Sequence, residues 1–128
     1  MIQPGTRLDG VRILVVDDDA DIRTAMSLAL RAEGAVIDDA ADGSTALHRM
    51  ASARPDAMVL DMMLPGQSGF SVLERARALQ PPLPVVMVTA NQGRRHAALA
   101  ETLGASAYLV KPVPLERLID AVCRATSR

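Results

Sequence analysis

The chain has 128 residues, of which 49 % are hydrophobic and 23 % are charged, proportions typical of a single globular domain. Its 14 basic and 15 acidic residues give a formal net charge of -1, which does not provide the basic surface that nucleic acid or anionic lipid requires. No apolar run is long enough to span a bilayer, and the segment from Met1 to Gly10 lacks the apolar core of a secretory signal. We therefore expect a cytoplasmic protein that binds neither membranes nor, by this chain alone, nucleic acid.

The first half of the chain alternates short apolar runs with segments of helical periodicity. In chain order it predicts a strand at Val11–Val16, a helix ending at Gly34, a strand at Ala35–Asp39, a helix between the Asp42-Gly43 turn and Pro55, and a strand at Ala57–Leu60. Aromatic residues make up only 2 % of the chain, so the core must be mainly aliphatic.

The second half continues the same alternation. In chain order it predicts a loop at Met62–Gly69, a helix at Phe70–Leu79, a strand at Val85–Thr89, a helix at Arg94–Leu103 closed by Gly104, a strand at Ala107–Val110, and an amphipathic helix from Leu115 to Cys123. Three polar residues that open the fourth helix, Arg94, Arg95 and His96, are interpreted as a solvated face. Five strand–helix units with nearly continuous apolar strands predict an α/β domain, a parallel sheet covered by helices on both faces.

Polar residues stand where four of these strands end. Asp17, Asp18 and Asp19 follow the first strand, and Asp61 follows the third. Thr89 is the last residue of the fourth strand and Lys111 follows the fifth. Because parallel sheets bind ligands beyond the carboxyl ends of their strands, we expect these side chains to converge on one rim. Separate helix caps and solvated loop acids are the alternative interpretation.

Clustered carboxylates with one ammonium and one hydroxyl are suited to Mg²⁺-assisted phosphoryl transfer. Mg²⁺ takes oxygen ligands and is typically held by one or two carboxylates together with a phosphate. The transferred group must be positioned and its equatorial oxygens neutralised, which a metal, Lys111 and Thr89 can do together. Asp61, alone at the end of the middle strand, is the natural nucleophile for an acyl phosphate.

Four segments of the chain resemble the hallmarks of response-regulator receiver domains. They are ILVVDDD (13–19), MVLDMMLPGQSG (58–69), VVMVTA (85–90) and GASAYLVKP (104–112), and the resemblance covers about residues 11 to 125. It implies a flavodoxin-like, doubly wound (βα)5 fold with strand order 2-1-3-4-5. It divides the chain into an N-terminal extension at 1–10, a receiver domain at 11–125 and a C-terminal tail at 126–128.

The same resemblance assigns a role to each residue of the rim. Asp61 is the phosphoacceptor, Thr89 and Lys111 bind the phosphoryl oxygens, and Thr89 and Tyr108 form the switch. The alternative for Tyr108 is a half-buried aromatic ring that covers an edge strand. Mg²⁺ is bound directly by Asp18 and Asp61, through water by Asp17 and by the backbone carbonyl of Met63. The Lys111-Pro112 bond is expected to be cis.

The resemblance also implies the reaction partners. The donor is a histidine kinase or a histidine phosphotransfer protein, and the output passes to a downstream protein or a fused effector domain. The domain is expected to be a signalling phosphoacceptor and not an enzyme; the only reactions that it catalyses are its own phosphorylation and dephosphorylation. In this family the side chains at the positions of Met63 and Asn91 flank the water that hydrolyses the acyl phosphate. A thioether orients water poorly, which predicts slow self-dephosphorylation.

Two other families share part of the pattern. Asp17-x-Asp19-x-Asp21 resembles the start of an EF-hand, but Ile22 stands where that loop requires glycine. A haloacid-dehalogenase-type phosphatase would also place Asp17-x-Asp19 after a strand, with Thr89 and Lys111 downstream. That family needs a later acidic pair that the chain does not offer, and it leaves Asp61 without a role. A protein-interaction module that is not phosphorylated is the third alternative.

Overall fold

The computed structural model describes residues 6–90 and 93–127, so the sequence-based expectation for Asn91 lies outside the described residues. Five strands alternate with five helices along this part of the chain. In chain order they are β1 (Arg12–Val16), α1 (Ala20–Arg31), β2 (Val36–Ala40), α2 (Gly43–Ser52), β3 (Ala57–Leu60), α3 (Gly69–Arg77), β4 (Val85–Thr89), α4 (Arg94–Thr102), β5 (Ala107–Val110) and α5 (Leu115–Thr126).

All four strand pairings are parallel and give one sheet with the order β2-β1-β3-β4-β5. The predicted doubly wound, flavodoxin-like fold with strand order 2-1-3-4-5 is therefore confirmed. Every residue of β3 and β4 is buried, because helices cover both faces of these inner strands. Within the described residues, no helix has the length and apolar character that crossing a bilayer demands.

The core lies in two layers, one on each face of the sheet. On one face, α2, α3 and α4 pack through buried side chains that include Met50, Leu73 and Ala100. On the other face, α1 and α5 pack through side chains that include Leu30 and Val122. The fully buried residues of both layers are aliphatic residues and methionines, as expected from the low aromatic content. The two layers hold the strands rigidly and so fix the rim at their carboxyl ends.

Side-chain caps set the start of the first three helices. Asp19 accepts hydrogen bonds from the backbone N–H groups of Asp21 and Ile22, Asp42 accepts one from Thr45, and Ser68 accepts one from Ser71. Hydrogen bonds from Thr45, its backbone N–H above all, lower the pKa of the Asp42 carboxylate. Because its side chain accepts these backbone hydrogen bonds, Asp19, the third aspartate after β1, has a structural role as the cap of α1.

The sequence-based expectations for helices α3 and α4 need correction in detail. Helix α3 ends at Arg77, before the predicted Leu79, because the N–H of Leu79 bonds the carbonyl of Ala76 in a tighter turn. The polar opening of α4 is only partly solvated: Arg94 and Arg95 are exposed, but the His96 ring stacks on Phe70 of α3 with 6.1 Å between ring centroids. A histidine can bury one ring face in this way because the ring is flat and largely apolar.

The segment before β1 packs onto the domain. Leu8 is buried in the layer formed by α1 and α5, and its backbone N–H donates to the carbonyl of Glu33. Arg7 forms salt bridges with Glu33, after α1, and Glu116, in α5. These hydrogen bonds to Glu116 and Glu33 raise the pKa of Arg7 above its ordinary value. The described part of the predicted N-terminal extension therefore links the end of α1 to the start of α5.

Candidate functional site

The backbone extends the sheet one residue beyond the strands and places the site residues there. The N–H of Asp61 donates to the carbonyl of Val16 at 3.0 Å, and the N–H of Asp17 donates to the carbonyl of Ala40 at 3.1 Å. At the other side of the rim, the N–H of Lys111 donates to the carbonyl of Thr89 at 2.9 Å. These hydrogen bonds hold four of the sequence-predicted residues at adjacent strand ends.

Three carboxylates converge at this rim. Asp17, Asp18 and Asp61 each offer one oxygen, and these oxygens lie within 4.8 Å of one another. Asp17 and Asp61 are buried, whereas Asp18 is exposed. A cation could therefore reach the cluster from the side of Asp18, and the oxygen-only donor set suits a hard divalent ion.

Lys111 bridges the two buried carboxylates. Its Nζ donates to Asp17 Oδ2 at 2.7 Å and to Asp61 Oδ2 at 2.9 Å. Burial lowers the pKa of Lys111, but the hydrogen bonds to Asp17 and Asp61 outweigh that effect and leave the pKa raised. Burial raises the pKa of Asp17 in spite of its pairing with Lys111. The ammonium therefore stays charged and partly compensates the acidic cluster.

Each buried carboxylate uses its second oxygen on a backbone donor. Asp17 Oδ1 accepts from the N–H of Asp19 at 2.9 Å, and Asp61 Oδ1 accepts from the N–H of Met63 at 3.0 Å. With one oxygen on a backbone N–H and the other on Lys111, neither carboxylate can rotate freely. The site is preorganised by its own loops.

Three other predicted residues lie around the cluster. Thr89 is fully buried at the end of β4, and Tyr108 on β5 is partly buried. Burial, followed by the charge of Asp61, raises the pKa of the Tyr108 hydroxyl, so this ring lies within electrostatic reach of the site. The Met63 side chain is 63 % exposed. The Lys111-Pro112 bond is cis, as the resemblance implies.

The sequence analysis missed one residue that positions the acidic loop. Arg23 of α1 donates from one guanidinium nitrogen to the backbone carbonyl of Asp17 at 2.8 Å. Its Nε donates to Asp39 Oδ2 at 3.1 Å. The arginine thereby ties the loop after β1 to the end of β2. The one sequence signal for this role is the position of Arg23, one helical turn into α1 after the three aspartates.

A second missed signal concerns Lys111. Of the 14 lysine and arginine residues in the chain, it is the only lysine. A guanidinium is planar and presents a fixed fork of donors, whereas an ammonium is a compact charge that fits between two carboxylates. The single lysine of an arginine-rich chain thus lies between two carboxylates, where a compact ammonium fits better than a guanidinium.

Comparisons with known proteins agree with this geometry. The sequence model of the response regulator receiver domain family matches residues 13–123. The probable transcriptional regulatory protein TcrX of Mycobacterium tuberculosis is 41 % identical over 115 residues, which cover 88 % of this chain and 49 % of TcrX. The response regulator MprA of Mycobacterium ulcerans is 40 % identical over 109 residues, which cover 85 % of this chain and 47 % of MprA. The chain spans about half the length of these curated relatives.

Solved structures give the same result. A CheY-like receiver domain from Methanospirillum hungatei superposes with a TM-score of 0.87 at 29 % identity and covers 92 % of this chain and 94 % of its own. The family match over most of the chain, the identity of about 40 % to two response or transcriptional regulators and the shared fold all support one assignment. The chain belongs to the response regulator receiver domains, the signalling modules of two-component systems.

Proposed function

We propose that Asp61 accepts a phosphoryl group in a Mg²⁺-dependent reaction and that the resulting change of charge alters the binding of a partner. The observation that carries the proposal is the setting of Asp61. Its carboxylate is buried, is held by Lys111 and the Met63 N–H, and lies beside the exposed Asp18. A nucleophile held in this way is already oriented before it attacks, and Lys111 has only to exchange its contact.

The residues of the rim fit Mg²⁺ in number and in charge. Three carboxylates and one ammonium leave two negative charges, which one divalent cation balances. Asp18 and Asp61 would bind the ion directly, Asp17 through water, and Met63 through its backbone carbonyl. When bound, Mg²⁺ supplies positive charge that neutralises phosphoryl oxygens.

The side chains of this chain would carry the transfer itself. A carboxylate oxygen of Asp61 forms a bond to phosphorus while the bond from phosphorus to the donor nitrogen breaks, and the donor imidazole, protonated on its other nitrogen, leaves as a neutral ring. Lys111 then binds a phosphoryl oxygen in exchange for its contact with Asp61, and the Thr89 hydroxyl binds another. Thr89 moving toward the phosphoryl group would leave space for Tyr108, which makes these two residues the switch.

The donor would be a histidine kinase or a histidine phosphotransfer protein, because a phosphorylated histidine nitrogen has a transfer potential high enough to form an acyl phosphate, and this chain would accept the group in the cytoplasm. The output would be a downstream protein or an effector domain in the same polypeptide. The longer relatives described as transcriptional or response regulators support the second form. Self-phosphorylation and self-dephosphorylation would be the only reactions that the domain itself catalyses.

The direct test uses phosphoramidate, a small donor with the phosphorus–nitrogen bond of phosphohistidine. With Mg²⁺, the wild type should gain the mass of one phosphoryl group, and a chelator should prevent this. Asp61→Asn should gain none, because an amide is not nucleophilic enough to replace the carboxylate. Asp120→Asn, at an exposed aspartate of α5, is the matched control and should behave as wild type. Phosphoryl gain by Asp61→Asn would refute the proposal.

Binding of Mg²⁺ should also raise the melting temperature. An ion that binds only the folded state stabilises it by about 1.4 kcal/mol at a concentration tenfold above its dissociation constant. Calorimetry with and without the ion measures this shift. Asp18→Asn should lose most of this rise in melting temperature, because Asp18, the exposed member of the cluster, would bind the ion directly. Asp120→Asn should retain the rise. An equal shift in wild type and Asp18→Asn would place the ion elsewhere.

The phosphorylated state should last for minutes. Water must approach phosphorus in line with the Asp61 oxygen, and a thioether at Met63 offers it only a weak acceptor. Met63→Asn supplies a donor and an acceptor and should hasten phosphate release about tenfold, which corresponds to about 1.4 kcal/mol of barrier. The measurement follows decay after the donor is removed, with Met63→Leu as the apolar control. Decay of the wild type within seconds would contradict the expectation.

A further inference from the structure

Met63 differs from every other methionine that the structure describes. The chain contains seven methionines, and six of them lie in the described residues. Five of these six are at most 6 % exposed, namely Met26, Met50, Met58, Met62 and Met87. Met63 is 63 % exposed. A soluble oxidant therefore reaches the Met63 sulfur far more readily than the sulfurs of the core.

The location of Met63 gives that exposure a consequence. Its backbone N–H donates to Asp61 Oδ1 at 3.0 Å, so the side chain starts from a residue that is bonded to the proposed phosphoacceptor. The single thiol of the chain is a poor competitor for the oxidant. Cys123 is only partly exposed, and burial raises its pKa, which disfavours the reactive thiolate.

We propose that Met63 is a site of oxidative modification and that its sulfoxide shortens the lifetime of the phosphoryl group on Asp61. The second half of this inference rests on the proposed function. The oxidant is one that accepts two electrons and delivers one oxygen atom, such as hydrogen peroxide or hypochlorous acid. With peroxide, a sulfur lone pair attacks one oxygen, the O–O bond breaks, an S–O bond forms and water leaves. Sulfur is oxidised by two electrons and the peroxide is reduced by two.

The change in hydrogen-bonding capacity explains the expected effect on lifetime. A thioether is apolar and a weak acceptor, and so it contributes little to the orientation of water. The sulfoxide is polar and carries an oxygen that accepts hydrogen bonds strongly. Beside Asp61, that oxygen can hold a water molecule near the phosphoryl group and favour in-line attack. The reversibility of the sulfoxide by methionine sulfoxide reductases would make the effect a switch.

The first arm of the test needs no phosphorylation. The complete chain is treated with limiting hydrogen peroxide, and peptides are analysed by mass spectrometry for the addition of one oxygen atom. The Met63 peptide should be oxidised well before the peptides that contain Met26, Met50 or Met87. Oxidation of these core positions at the same rate as Met63 would overturn the proposal.

The second arm measures phosphoryl lifetime after loading with phosphoramidate and Mg²⁺. The peroxide-treated wild type should lose its phosphoryl group several-fold faster than the untreated protein, and a sulfoxide reductase should restore the original rate. Met63→Gln, which carries a permanent polar oxygen, should decay quickly without peroxide. Met63→Leu should decay slowly with or without it.

The outcomes separate the two claims. If the oxidised wild type decays at the untreated rate, or if peroxide hastens decay in Met63→Leu as much as in wild type, the regulatory inference is wrong. If no form of the protein accepts a phosphoryl group while Met63 is still oxidised selectively, it is the proposed phosphoacceptor function that fails.

Discussion

Replacing Lys111 with methionine is expected to lower the free energy of unfolding by about 3 kcal/mol at neutral pH without Mg²⁺. The ammonium is the bridge between the buried carboxylates of Asp17 and Asp61, at 2.7 and 2.9 Å. Methionine keeps most of the volume and removes the charge, so both carboxylates lose their cation at a buried site. Chemical denaturation of wild type and variant measures the difference.

Two further variants separate lost charge from lost packing. Asp17→Asn combined with Lys111→Met removes one buried charge together with its partner, and this double variant should be more stable than Lys111→Met alone. Millimolar Mg²⁺ should recover more stability in Lys111→Met than in wild type, because the ion replaces the missing positive charge. A Lys111→Met protein as stable as wild type would show that the bridge contributes nothing.

Replacing Gly69 with alanine is expected to cost about 3 kcal/mol of stability and to impair phosphorylation at the same time. A Cβ on this residue would lie 2.5 Å from the backbone carbonyl oxygen of Asp61 and 2.5 Å from Met62 Cα. Neither backbone atom can move without displacing the loop that holds the Asp61 carboxylate. Helix α3 begins at Gly69 and would have to shift away from that loop.

The matched control is Gly66→Ala in the same loop. Gly66 has a φ of 79°, and the nearest atom to its added Cβ is the Ser44 hydroxyl oxygen at 3.9 Å. Its substitution should cost only the strain of a left-handed alanine, about 1 kcal/mol. Thermal denaturation and phosphoramidate loading of both variants distinguish crowding from strain. Equal effects of the two substitutions would rule out the crowding at Gly69.

The sequence predicted the fold because short, continuous apolar runs alternate along this chain with segments of helical periodicity. The apolar runs of β3 and β4 are too short for helices and stop at polar residues, and the structure buries every residue of both. The offset of β2 by one residue, from Ala35–Asp39 to Val36–Ala40, has a different origin. This edge strand exposes most of its side chains, so its ends are set by backbone pairing with β1 and not by a hydrophobic pattern.

The location of the candidate site was predictable for a topological reason. Parallel strands bring their carboxyl ends to one rim, so residues far apart in sequence, such as Asp17, Asp61 and Lys111, meet without any knowledge of side-chain geometry. Their roles in metal binding and phosphoryl transfer stay predictions. Lys111 bonds the carboxylates of Asp17 and Asp61 at the same time, an arrangement that no pattern of residue types could specify.

Other contacts between distant segments, away from the strand ends, were not predicted from the sequence. Gly69 is one of two glycines in a loop that was expected only to connect β3 with α3. Its need for space arises because the start of α3 packs against the backbone of Asp61 and Met62. Arg23 was not singled out, and His96 was assigned to a solvated face, for the same reason: their partners on β2 and α3 are fixed by packing and not by spacing along the chain.

The proposed function depends most on which residue carries the phosphoryl group. Borohydride reduces an aspartyl phosphate to homoserine and so marks its position in the chain. After loading with phosphoramidate and Mg²⁺, reduction and peptide sequencing by mass spectrometry should find homoserine in place of Asp61, and none when Mg²⁺ is chelated. Homoserine in place of Asp17 or Asp18, or its absence from a protein that has gained a phosphoryl group, would contradict the account.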